Sequence, residues 1–417
     1  MNSRRNFLKV AGAGITGSLF HSISSRGAKL NTKGQKIKIG VLLPQSNENP
    51  YYPGSFLNGL RSGIDRHNAI KKNKIELISE SVNFGTPVIV KEKTQKLITE
   101  NNVDLVTGIL NSEVAAHVGN IFTNAKLPVI IANSGESFPV HEIKNNKFLF
   151  FNGLNLFQAS YHTGRYAVNN YGKNIAIVTS FYDSGYDSLF TFRQGVESAG
   201  GINLETIVAS QDDQEFSTKV VEKLKKLNPD AVYVFMNGNA SDGVIRTLHY
   251  SDFNIPVLTS AFSVEEHRLV NLGEAAKNIV SIGSWNKNLD IKENQQFVTQ
   301  YLKKWNKSPD LFSMLGFETG QLIYDSLQKC EGDYSGEKLA DTLNNCRIKS
   351  PRGEVFIHKK SGVVNNHLLV SKVIMSARGI PKNTTLKSFE PVNEFEEKFA
   401  VLDNEYRSGW LNPYLFV

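Results

Sequence analysis

From Lys36 onward, short apolar runs alternate with stretches whose apolar side chains recur every three or four positions, and this rhythm runs through the chain twice. Such alternation constrains the fold more than anything else in the sequence. A run buried on both faces and followed by an amphipathic helix is the signature of parallel strands joined by helical crossovers. In the first round, Lys38 to Leu43 (KIGVLL), Ile75 to Ile78, Val103 to Leu110 (VDLVTGIL) and Pro128 to Ala132 (PVIIA) read as strands. Between them, Phe56, Leu57, Leu60 and Ile64, then Val90, Thr94, Leu97 and Ile98, then Val114, Val118, Ile121 and Phe122 fall at helical spacing.

The second round opens near Asn155, with a helix over Phe157 to Asn170 and a strand over Asn174 to Thr179 (NIAIVT). A helix over Ser188 to Ala199 stops at Gly200-Gly201, where positive φ is tolerated. Strands over Ile202 to Val208, Ala231 to Met236, Pro256 to Ser260 and Ile279 to Gly283 follow, with Val220, Val221, Leu224 and Leu227 on a helix among them. Two rounds predict two doubly wound α/β lobes. After Trp285 the helices Ile291 to Trp305 and Phe312 to Lys329 have no strand between them, so they are expected to return to the first lobe. Arg352 to Ile374 reads as extended, and the tail from Lys382 to Val417 receives no assignment.

The N-terminus reads as an export signal. Ser3-Arg4-Arg5-Asn6-Phe7-Leu8-Lys9 has the twin-arginine pattern, and the apolar stretch Val10 to Phe20 is far shorter than the roughly 20 residues a membrane-spanning helix needs. A signal peptide over residues 1–28 is expected, with cleavage between Ser22 and Ala28. The whole chain carries +7, and losing Arg4, Arg5, Lys9 and Arg26 leaves +3 spread over many lysines. No basic run is long enough to track a phosphate backbone, so nucleic acid is not an expected partner. About 390 mature residues exceed what one core sustains, in keeping with two lobes.

Enzyme signatures are missing from the mature chain. There is no His-Glu-x-x-His, no phosphate-loop Gly-Lys-Ser/Thr and no Gly-x-Ser-x-Gly. The spacing Gly12-x-Gly14-x-x-Gly17 lies in the leader with no strand before it. Neither a metal nor a cofactor is expected. The cysteines are Cys330 and Cys346, too few for a zinc or iron–sulfur site, and the sequence leaves open whether they form a disulfide.

In open α/β sheets a ligand crevice lies at the carboxyl ends of the strands, and with two lobes it lies between them. Three loops there stand out: Asn111-Ser112-Glu113, Asn133-Ser134-Gly135-Glu136, and Ser180 to Asp187 with Tyr182 and Tyr186. Small hydroxyl residues and free N–H groups at helix starts suit an anionic group, and the tyrosines suit its other end. The competing account is that Ser112 and Asp187 only cap their helices.

Lys38 to Pro44 (KIGVLLP), Val103 to Ser112 (VDLVTGILNS), Lys126 to Ile130 (KLPVI), Asn228 to Val232 (NPDAV) and Ser350 to Val355 (SPRGEV), in this order and spacing, resemble the type I periplasmic binding proteins of the branched-chain amino acid, amide and urea group. The resemblance implies two Rossmann-like lobes joined by crossing strands near Gly153, Gly283 and Cys346 to Ser350. It places lobe 1 at 36–152 and 285–347, lobe 2 at 153–284 and 348–376, and a tail at 377–417. By similarity Ser112 matches the residue that holds a ligand carboxylate, and Ser134-Gly135-Glu136 matches a small-residue turn whose third position is ordinarily Thr. Glu136 would repel an anion or pair with a cation. In the second lobe the family's ligand-ammonium positions fall near Asn237 and Phe262, where no carboxylate is evident in the sequence.

The expected function is capture of a small polar solute by hinge closure, as the periplasmic substrate-binding component of an ABC-type uptake system. Its partners would be the solute and membrane permease subunits, with the protein a monomer and not an enzyme. A ligand sensor without a transport role and an exported oxidoreductase are the alternatives.

Overall fold

The computed structural model describes residues 36–71, 73–136, 146–209, 215–359, 361–365, 367–390 and 410–416. The proposed leader over 1–28 and residues 391–409 of the tail lie outside the described residues. The first sheet comprises β1 (Ile37–Leu43), β2 (Ile75–Ser81), β3 (Leu105–Ile109), β4 (Val129–Asn133) and β5 (Leu149–Gly153), all parallel, in the order β2-β1-β3-β4-β5. Helices α1 (Tyr52–Ile70), α2 (Pro87–Thr99) and α3 (Ser112–Ala125) follow the first three strands. β3 and β4 are buried along their whole length, which is why their sequences are continuous rather than alternating apolar runs.

The second round supplies α4 (Leu156–Tyr171), β6 (Asn174–Ser180), α5 (Asp187–Ser198), β7 (Ile202–Ala209), α6 (Phe216–Leu227), β8 (Ala231–Phe235), α7 (Gly238–Tyr250), β9 (Val257–Ser260), α8 (Glu266–Leu272) and β10 (Val280–Gly283). Then come α9 (Lys292–Trp305), α10 (Leu311–Lys329) and α11 (Gly336–Leu343), followed by β11 (Arg347–Ser350), β12 (Gly353–Ile357), β13 (Val364–Asn365), β14 (Leu368–Met375) and β15 (Pro381–Phe389). The second sheet has the order β15-β14-β10-β9-β8-β6-β7; β14 and β15 join it antiparallel. In each sheet the strand order reverses about its first strand, β1 or β6, so both lobes are doubly wound.

Helices α1 and α10 cross at backbone contact. A Cβ on Gly59, Gly63, Gly316 or Gly320 would run into the backbone of the facing helix, so the two rows of glycine set this packing on the first lobe. Asp310 and Ser313 start α10 with a reciprocal capping box: each side chain accepts from the other's backbone N–H at 2.7 Å.

The third passage between lobes differs from what the resemblance implied. β11 and β12 form an antiparallel hairpin, β13 pairs with β12, and Val363 bridges to Phe151 of β5. The chain therefore stays beside the first sheet through Asn365 and enters the second only at β14. The hairpin is anchored by Arg352, which is buried. Its guanidinium donates to Glu318 Oε1 at 2.5 Å and Oε2 at 2.9 Å, and at 3.0 Å to both the Gly153 carbonyl and Asn152 Oδ1.

The cysteines are free thiols, which decides the open question against a disulfide. Each sulfur is turned to oxygen partners: Cys330 Sγ lies 3.5 Å from Thr342 Oγ1, and Cys346 Sγ donates to the carbonyls of Leu322 and Thr342 at 3.6 and 3.4 Å. Burial holds both thiols protonated by raising their pKa values, so neither is reactive in the folded chain. Thiol titration is expected to give no reactive group in the native protein and both after denaturation. None in either state would mean that the sulfurs are bonded.

Candidate interlobe site

The carboxyl ends of β1, β3 and β4 face those of β6, β8 and β9, and the loops singled out in the sequence meet there. On the first lobe Asn111, not Ser112, caps α3: its Oδ1 accepts from the Glu113 N–H at 2.8 Å. On the second lobe Tyr186, not Asp187, occupies the cap position of α5. Neither candidate cap is a cap, so their burial calls for another explanation.

Ser112 and Asn133 form one unit. Asn133 Nδ2 donates to Ser112 Oγ at 3.1 Å and to the Leu110 carbonyl at 3.2 Å, while its Oδ1 accepts from the Gly135 N–H at 3.0 Å. Gly135 has φ +70, and a Cβ there would meet the backbone of Asn155, so the turn requires glycine. The turn delivers Ser134 and Glu136 into the interior, where Ser134 Oγ donates to Glu136 Oε2 at 2.5 Å. Glu136 is fully buried, and its Oε1 has no hydrogen-bond partner among the described residues. Burial raises its carboxyl to about 7, with the Ser134 hydroxyl offsetting only part of the effect.

The second lobe holds a carboxylate that the sequence reading missed. Asp183, from the loop after β6, reaches the end of β8, where Asn237 Nδ2 donates to its Oδ1 at 2.8 Å. Its Oδ2 accepts from Ser180 Oγ at 2.5 Å. Inspecting the residues around Asn237 alone could not find it, because the group arrives from a different strand end. Burial raises the Asp183 carboxyl above its ordinary value. The hydroxyls of Tyr182 and Tyr186 hydrogen-bond to each other, and Phe262 is buried against Phe312 of the first lobe with ring centres 6.2 Å apart.

The space between these walls is filled by the chain's own C-terminus. Tyr414 stacks on Phe235 at 5.7 Å with the rings 6° from parallel, and meets Tyr186 and Phe262 edge-on at 4.9 and 6.0 Å. Its hydroxyl accepts from Asn237 Nδ2 and also meets the Asp183 carboxylate. Its backbone amide reaches Glu136. Of the nine residues singled out from the sequence, Glu136, Tyr182, Tyr186, Asn237 and Phe262 touch this C-terminal segment, while Ser112, Asn133, Ser134 and Gly135 form the hydrogen-bonded turn that leads to Glu136. Phe235 and Asp183 also touch Tyr414, and Ser46 and Asn49 hold the Leu415 carbonyl.

The lobes also touch directly. Ser188 Oγ donates to the Glu136 carbonyl at 3.1 Å, and Tyr51 of the first lobe pairs with His267 Nε2 of the second at 2.8 Å. His267 Nδ1 lies 3.3 Å from Glu265; burial lowers the imidazole's pKa, but the hydrogen bond and charge of Glu265 together with the charge of Asp310 raise it overall. Among the described residues no group of three or more His, Cys, Asp or Glu is placed to hold a metal ion, and no helix is long and apolar enough to cross a membrane.

A search of curated proteins finds no match to this chain. Solved structures do match. An ABC transporter substrate-binding protein from Sphaerobacter thermophilus is 26% identical with a TM-score of 0.76, over 86% of this chain and 98% of that one. A solute-binding protein of an ABC transporter from Rhodopseudomonas palustris BisB5, in complex with 3,4-dihydroxybenzoic acid, is 22% identical with a TM-score of 0.74, over 87% and 99%. A leucine-binding protein from Thermotoga maritima is 17% identical with a TM-score of 0.67, over 85% and 99%. A profile described as periplasmic binding protein matches residues 36–378, and with its two doubly wound lobes this chain belongs to that family.

Proposed function

We propose that the chain captures a small solute bearing an aromatic ring and a hydroxyl group between its lobes, as the binding component of an ABC-type uptake system. The observation that carries this reading is the setting of the Tyr414 ring. A phenol there is stacked on Phe235, edged by Tyr186 and Phe262, and met at its hydroxyl by Asn237 and Asp183. At the opposite wall Ser112, Ser134 and Glu136 offer polar groups. A Glu136 carboxyl that is raised to about 7 can donate a proton to a ligand carboxylate instead of repelling it. The R. palustris relative, whose structure holds 3,4-dihydroxybenzoic acid, takes a ligand of this class.

Capture needs no covalent step. Differential affinity for the closed arrangement shifts the lobes together, and permease subunits read that form. The moving bodies would be a first lobe of 36–152 with 285–365 and a second of 153–284 with 368–390. The protein works as a monomer without catalysis, outside the cytoplasmic membrane, after twin-arginine export directed by residues 3–9.

Calorimetric titration of the full chain carrying Tyr414→Ala, which vacates the ring position, tests the reading. 4-Hydroxybenzoate and 3,4-dihydroxybenzoate are expected to bind, and adding Asp183→Ala is expected to weaken them at least about tenfold through loss of a buried charged hydrogen bond. Binding of leucine in their place, indifferent to Asp183→Ala, would overturn the aromatic assignment.

A further inference from the structure

We propose that the segment Trp410–Phe416 is an intramolecular ligand of the interlobe cleft, one that ties the lobes together and excludes external solute until it is displaced. The proposal rests on the reading above only in taking the cleft as the ligand site.

The segment is held by both lobes at once. On the first, Ser46 Oγ and Asn49 Nδ2 donate to the Leu415 carbonyl at 3.0 and 3.1 Å, and Phe416 packs edge-on against Phe312 at 5.2 Å. On the second, Trp410 Nε1 donates to the Tyr182 carbonyl at 3.1 Å and Asn412 Nδ2 to the Tyr182 hydroxyl at 2.8 Å, while Tyr186 donates to the Asn412 carbonyl at 3.3 Å. Pro413 through Phe416 are buried, Tyr414 and Phe416 completely.

Two features of the surrounding fold accommodate the segment. A Cβ on Gly185 would collide with the Trp410 indole, and one on Gly85 would press on Pro413. Leu415 has φ +78, a left-handed conformation that is strained for a leucine and persists only where surrounding contacts enforce it. The carbonyl that this turn presents is the one received by Ser46 and Asn49. The family profile matches residues 36–378, so the segment lies beyond the part of the chain that the profile covers.

A tethered occupant competes far above its weight. Because the segment belongs to the same chain, its effective concentration at the cleft is on the order of millimolar, so even a modest intrinsic affinity keeps the cleft filled. A solute meeting a cleft that is open for only a fraction of the time binds with its affinity reduced by that fraction. The protein would then load solute only at high concentration, or after a partner draws the segment away.

The test uses the full mature chain, the same chain with Tyr414→Ala and Phe416→Ala, and a synthetic peptide of residues 408–417. By small-angle scattering without added solute, the wild type is expected to be compact and the double variant expanded. The peptide is expected to bind and re-compact the variant, and to bind the wild type at least a hundredfold more weakly. Gly185→Val, which blocks the Trp410 seat while leaving the segment's own sequence intact, should expand the chain likewise and guards against a folding defect. Identical scattering of all three proteins, with the peptide binding none, would overturn the proposal. A concentration-dependent wild-type dimer that exchanges segments would overturn its intramolecular form. None of these readouts involves a solute, so they fail independently of the hydroxybenzoate titration.

Discussion

Arg352→Ala is expected to lower the stability of the folded chain by about 3–5 kcal/mol at neutral pH, because it leaves a buried carboxylate uncompensated. Arg352 and Glu318 both have fully buried side chains and pair through two hydrogen bonds at 2.5 and 2.9 Å. Removing the cation also orphans the Gly153 carbonyl and Asn152 Oδ1, at the point where β5 leaves the first lobe. The loss should appear as a lower urea midpoint with an unchanged slope, since the exposed surface on unfolding is the same. Pairing Arg352→Met with Glu318→Leu should recover most of it, because the penalty lies in the unpaired charge rather than in the absence of the bridge. A single-variant loss below about 1 kcal/mol would show that water or another group satisfies Glu318.

Glu136→Gln is expected to act in the opposite direction and to change the pH profile. The Glu136 carboxyl sits at about 7 in the folded chain against an ordinary 4.5. The folded state therefore binds a proton that the unfolded state has released over this interval. By linkage, stability from this group rises as pH falls from 7 towards 4.5 and is flat below. The total is about 3 kcal/mol, at roughly 1.4 kcal/mol for each tenfold change in proton concentration. Glutamine supplies the neutral form at every pH, so the variant should melt higher than wild type at pH 8 and equal to it near pH 4.5. Asp310, raised to about 6 by burial and by the nearby Glu265, keeps a smaller slope of the same sign in both proteins. The difference in melting temperature across pH 5–8 isolates Glu136. A difference that stays constant with pH would place its carboxyl near the ordinary value.

Most strands could be read from local sequence because a strand buried on both faces needs an uninterrupted apolar run, as in VIIAN of β4 and AVYVF of β8. β5 could not, since its apolar run is only Phe148 to Phe151 and the strand itself ends in Asn152-Gly153, which read as a turn. α7 begins Gly-Asn-Ala-Ser-Asp-Gly, which apart from Ala240 are residues of low helix propensity, and its register is set by packing instead. β15 is a polar edge strand, PKNTTLKSF, exposed along much of its length, and only its pairing with β14 makes it a strand.

The site divides along the same line. Ser112, the Asn133–Glu136 turn and the tyrosines of the Ser180 loop were legible because they sit where strands hand over to helices, a position that local pattern locates. Which groups these loops would meet was not legible. Asp183 joins Asn237 across 54 residues of chain, and Asn237 joins Tyr414 across 177.

By itself the sequence determined the two-round α/β alternation and the loops that end the strands, since each follows from the periodicity or identity of neighbouring residues. Only the tertiary structure decided the rest: the Asp183 carboxylate at the end of β8, the free thiols, the Arg352 anchor and the late third passage after Asn365, and the C-terminal aromatics in the cleft. Each of these is a contact between segments far apart in the chain. Their meeting is chosen by how sheets, helices and glycine-lined surfaces pack in three dimensions, about which local patterns carry no information.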